Sequence, residues 1–178
     1  MAYETKEKKK DNSPYLTYIQ EYRRDLEADL TQQLQKIILN LDSLLIKKAE
    51  NVEAKIFYKK LKGDYSRYIA EYSKDDLKEK VMKDALTSYQ EAINLCKDQP
   101  VLNILILGLV LNYTILYYEV MNERKTALKI AMEYNDKIGK ELENFDEDKE
   151  ENKDIMNLVH LIRENIDMWK SEDTEQTE

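Results

Sequence analysis

Residues 60–71 hold the side chains best placed to do chemistry in this 178-residue chain. Lys60, Asp64, Arg67 and Glu71 follow one another at steps of four, three and four. On a helix, a separation of seven residues returns to nearly the same face, so Lys60 and Arg67 project in parallel with Tyr68 beside them. Two cations and a phenol on one face suit a phosphate group: Arg offers a planar fork, Lys a point charge, and Tyr a hydroxyl donor. The same spacing also makes a solvated face held by Lys60–Asp64 and Asp64–Arg67 ion pairs, each worth little. The pattern by itself leaves both readings open.

Two asparagines stand out next. Asn112 shares a helical stripe with Leu105, Leu109 and Leu116 in the most apolar segment of the chain, and Asn165 stands between Leu161 and Met168. A buried amide is costly unless satisfied, so each either pairs inside the core or faces a groove. In a groove it could hydrogen-bond the backbone of an extended peptide while leucines contact the side chains. Enzyme signatures are absent. His160 is the only histidine, so no His cluster for a metal and no relay of two histidines can be built. Cys96 lies on an apolar stripe, as a small core residue does, and Gly63, Gly108 and Gly139 are isolated rather than grouped into a phosphate loop. Neither catalysis nor a metal or cofactor is expected.

The elements that must position these residues are helices throughout. Only 3 Gly and 2 Pro interrupt a chain that is 36% charged and 42% hydrophobic, a mixture that favours long helices. A first helix spans about 14–48, with Ile19, Tyr22, Leu26, Leu30, Ile37, Leu41 and Leu44 at steps near three and four. A second carries Ala54, Phe57, Leu61, Tyr65, Tyr68 and Tyr72 on its buried stripe. Ser73 and Asp76 have the form of a capping box opening a third, whose stripe is Leu77, Val81, Ala85, Tyr89, Ala92 and Cys96. Pro100 can open a fourth, apolar helix. A fifth presents Ala127, Ala131, Tyr134, Ile138 and Leu142. A sixth presents Ile155, Val159, Ile162, Ile166 and Trp169. Short connectors then imply an all-α array of about six long antiparallel helices, layered much as in tetratricopeptide proteins. The domain covers 14–170, after a charged, disordered lead at 1–13 and before an acidic, flexible tail at 171–178.

A net charge of −8 argues against nucleic acid as a partner, because no basic stripe offsets it. Residues 101–121 approach the length of a membrane span. Asn103, Asn112, Thr114 and Glu119 interrupt them, however, and point instead to a central buried helix. No apolar stretch follows the early lysines, so no signal peptide is read. A single cysteine fits a reducing cytoplasm.

Taken together, these segments resemble the 14-3-3 proteins. Phe57-Tyr58-Lys59-Lys60-Leu61-Lys62-Gly63-Asp64-Tyr65-Ser66-Arg67-Tyr68-Ile69-Ala70-Glu71 is similar to the family's FYLKMKGDYYRYLAE. Leu107-Gly108-Leu109-Val110-Leu111-Asn112-Tyr113, followed by Tyr117-Tyr118-Glu119, is similar to LGLALNF and YYE. The segment from Leu161 to Trp169 is similar to LLRDNLTLW, and Ser88-Tyr89-Gln90-Glu91-Ala92 to AYQEA. The resemblance implies an adaptor that binds phosphoserine or phosphothreonine peptides and regulates client proteins without catalysis. It assigns phosphate contacts to Lys60, Arg67 and Tyr68, and peptide-backbone contacts to Asn112 and Asn165. It places Leu109, Ile115, Leu158 and Leu161 on the apolar wall of the groove and Glu119 and Trp169 at further groove positions.

Family members begin with three helices before the segment similar to Glu21-Tyr22-Arg23-Arg24-Asp25-Leu26, whereas about twenty mostly polar residues precede it here. The third of those helices supplies a Lys and an Arg to the phosphate pocket, and the first two dock on a partner subunit. Without them, weakened phosphopeptide binding and uncovered apolar surface on the first two helices are expected. Phosphorylated clients and a homo- or heterodimer with family members are the implied partners. A helical scaffold without phosphate dependence is the alternative.

Overall fold

The computed structural model describes Thr5, residues 14–147 and residues 149–175. Residues 1–4, 6–13, 148 and 176–178, and with them most of the lead and the end of the tail, lie outside the described residues. From Leu16 on, six helices among the described residues follow the order expected from the stripes. They are α1 (Leu16–Asn40, continued by a π-turn at Leu41–Leu45 and a last turn at Ile46–Lys48), α2 (Val52–Tyr72) and α3 (Asp75–Leu95). Then come α4 (Ile104–Ile115, extended by a π-turn at Leu116–Val120), α5 (Arg124–Leu142) and α6 (Lys153–Glu175, after a 3-10 turn at Glu150–Asn152). No strand occurs among the described residues.

Each helix packs on the next, and α4 also touches α2 and α6. That central place explains its composition: with neighbours on several sides, α4 has little face to give to water. Leu107, Leu109, Val110 and Leu116 are fully buried there, against Tyr89 of α3, Ile138 of α5 and Val159, Ile162 and Trp169 of α6. A smaller core of Leu34, Ile69, Ala70 and Val81 ties α1 to α2 and α3. No helix among the described residues is long and apolar enough to cross a membrane.

Three local expectations are corrected. Pro100 does not open α4. Asn103 caps it instead, its side-chain oxygen accepting from the backbone N–H groups of Leu105 (2.8 Å) and Ile106 (3.3 Å). The preceding stretch need not coil, because Glu141 of α5 supplies the acceptors: Val101 N donates to Oε1 at 2.7 Å and Leu102 N to Oε2 at 3.0 Å. Ser73 and Asp76 form no capping box. Ser73 is extended and closes α2, Lys74 precedes α3, and Asp75 turns the corner at φ 50°. So tight a connection needs a left-handed residue, which Asp tolerates better than most. Phe57, read as core, is exposed at the edge of α2.

Two further features bear on the chain's ends. Leu34 and Leu41 are buried, but Tyr18, Tyr22, Leu26 and Leu30 of α1 stand exposed. α6 runs to Glu175, five residues past the boundary read at 170, and Tyr118 donates to Glu172 at 2.5 Å.

Candidate functional site

Lys60, Arg67 and Tyr68 sit on α2, a helix whose start is fixed by Asn51, which accepts from Ala54 N at 2.7 Å. Close packing of α2 on α3 depends on Gly63, where a Cβ would stand 2.6 Å from Cε1 of Tyr89. Lys60 Nζ lies 2.7 Å from Asp64 Oδ2, so that ion pair forms as the spacing allowed. The Asp64–Arg67 pair does not. Arg67 turns to Glu71 one turn further on, and its guanidinium carbon lies 4.6 Å from the centre of the Tyr68 ring. Asp64 is already filled: its Oδ1 accepts from Tyr89 Oη at 2.6 Å and from Asn112 Nδ2 at 2.7 Å.

Arg67 is only 8% exposed, and its Nε is buried with no hydrogen-bond partner among the described residues. Its ion-pair partner, Glu71, is itself half-exposed. Burial and the Asp64 carboxylate together hold the Tyr89 hydroxyl well above the usual phenol range. It therefore stays protonated and keeps donating.

A groove of about 640 Å³ opens at Lys60, between α2, the start of α4 and α6. Glu53, Phe57 and Lys60 line it from α2, Leu102, Asn103, Ile104, Leu105 and Gly108 from the α4 side, and Ile155 and Leu158 from α6. It is a largely apolar trough whose charged lining is one cation, Lys60, and one carboxylate, Glu53. Asn112 follows Gly108 by one turn and is half-buried, as are Ile115 and Asn165. Leu161 and Glu119 are exposed.

Leu109 and Trp169 do not stand where the resemblance placed them. Leu109 is 0% exposed and Trp169 2%, so neither offers surface to a ligand. Leu109 points into the core around α4, and Trp169 stacks on Tyr118 at 4.4 Å between ring centres. Leu111, next to Asn112, is half-buried and better placed for a wall. Asp64, Tyr89 and Glu71 form the support that the sequence left unassigned. No group of three or more His, Cys, Asp or Glu side chains suited to a metal occurs among the described residues.

The family model described as 14-3-3 protein matches residues 1–170. The chain is 34% identical over 170 residues to "14-3-3 protein 2" of Entamoeba histolytica, covering 95% of this chain and 70% of that protein. It is 34% identical to "14-3-3-like protein A" of Hordeum vulgare, with 97% and 66% covered. Identity reaches 38% with "14-3-3-like protein 2" of Caenorhabditis elegans, with 85% and 61% covered. The chain thus spans about two thirds of the length of these relatives. An all-helical array, three matched motifs in order and agreement along nearly the whole chain lead to one conclusion: this protein belongs to the 14-3-3 family.

Proposed function

We propose that the chain is a non-catalytic adaptor that binds phosphoserine- or phosphothreonine-containing segments of client proteins. Lys60, Arg67 and Tyr68 take the phosphate. Asn112 and Asn165 hold the backbone, and Ile115, Leu158 and Leu161 contact its side chains, with Glu119 at the groove's far end. The observation that supports this best is Arg67, a buried guanidinium with an unsatisfied Nε two helical turns along α2 from Lys60, which lines the trough. A buried, under-partnered cation is expensive to keep unless an anion completes it.

The test is fluorescence polarisation of a labelled Arg-Ser-x-pSer-x-Pro peptide and its unphosphorylated twin, with wild type and Arg67→Glu. Phosphate-dependent binding that drops at least about a hundredfold in Arg67→Glu is expected, since a buried charge pair is replaced by repulsion of roughly 3 kcal/mol or more. Equal binding of both peptides would leave the scaffold reading in its place. A second reading concerns partners: the exposed apolar face of α1, with Tyr18, Tyr22, Leu26 and Leu30, supports docking on another 14-3-3 subunit.

A further inference from the structure

Asp64 is the most heavily used acceptor in the site. It is 5% exposed, and it takes Tyr89 Oη and Asn112 Nδ2 on Oδ1 and Lys60 Nζ on Oδ2. An ionised carboxylate only accepts, so the side of the Asn112 amide that meets it must be the NH₂. The carbonyl Oδ1 of Asn112 is then turned away from Asp64. Asn112 lies one helical turn past Gly108 and two past Leu105, both lining the groove. Its free side is therefore an acceptor on the groove face of α4.

We propose that Asp64 is a positioning residue that sets the polarity of the groove at Asn112, so that this position reads a backbone N–H of the bound segment rather than a C=O. The inference rests on the peptide-binding reading above. It is separable from it, because the orientation of the amide exists without any ligand.

Asp64→Asn is the informative change, because its outcome follows from which partners can reverse. Lys60 carries only donors, so it claims the one oxygen left at position 64. The new NH₂ group then faces Tyr89 and Asn112. An amide can rotate to present its carbonyl, so Asn112 reverses without losing a bond; the Tyr89 oxygen can accept too, but its own O–H then loses Asp64 as acceptor. Asn112 would turn its NH₂ to the groove. The site keeps its shape and its cations but changes from acceptor to donor at one point.

Two measurements test this. In the free protein, the Asn112 side-chain amide should show one downfield, slowly exchanging proton in wild type, and lose it in Asp64→Asn. Two freely exchanging protons in wild type, or no change in the variant, would overturn the proposal whether or not any peptide binds. In the bound state, a scan of phosphopeptides with single amide-to-ester replacements should find one position at which wild type loses about tenfold in affinity, the worth of one good hydrogen bond. The same ester should cost Asp64→Asn less than about twofold, while both proteins keep their preference for the phosphorylated peptide. An ester penalty of equal size in both proteins would overturn the proposal. Loss of phosphate preference in wild type would sink the adaptor reading and leave the amide spectrum to decide this one.

Discussion

Gly63 shows how little room the site's support leaves. Tyr89 reaches past it to Asp64, and a methyl group there would stand 2.6 Å from the ring. Alanine is the better helix former by about 1 kcal/mol, which would favour the substitution on an open face. Here the ring is fully buried and cannot swing aside, so overpacking wins. Gly63→Ala should lower stability in urea denaturation by about 1–3 kcal/mol, and an unchanged midpoint would show that Tyr89 has slack. Much of the site at this level was legible: the step of seven from Lys60 to Arg67 is visible in the sequence, and the Lys60–Asp64 pair forms. What was hidden is the choice Arg67 makes. A helix offers it acids at both −3 and +4, and the decision is taken by Tyr89 and Asn112. They lie 25 and 48 residues from Asp64, and no local spacing reveals them.

The helices themselves were readable because each buries one stripe, and the stripe's period survives any error at its ends. The ends were harder. Pro100 looked like the start of α4, but a carboxylate forty residues away supplies its backbone with acceptors and lets the helix begin at Ile104. Glu141 is thus a clamp between α5 and the lead into α4. Glu141→Gln leaves one oxygen for two donors, and the amide nitrogen then opposes a backbone N–H. A loss of about 1.5–3 kcal/mol is expected, in the range for bonds to a charged acceptor. Hydrogen exchange at the Val101 and Leu102 amides should quicken selectively; protection that persists would mean the clamp is dispensable. The same limit explains Leu109 and Trp169. Matching motifs places a residue on the correct helix, but which side of a well-covered helix meets a neighbour depends on packing.

The array closes well on one side and stays open on another. α4 is wrapped by its neighbours, whereas α1 keeps Tyr18, Tyr22, Leu26 and Leu30 in water, an apolar strip of the kind that recruits a partner. Mixed with another 14-3-3 protein, the chain should sediment as a complex, and Leu26→Glu with Leu30→Glu should return it to its own rate. Independent sedimentation of the unaltered chain at micromolar concentration would refute that docking. At the opposite side, the sole tryptophan is Trp169, buried in α6 and stacked on Tyr118 of the turn that ends α4. Excited to the red of its 13 tyrosines, the chain therefore emits from a single indole at the seam between the last helix and the central one. Its colour records whether that seam is shut, so one optical signal follows the closure of the array without any label being attached.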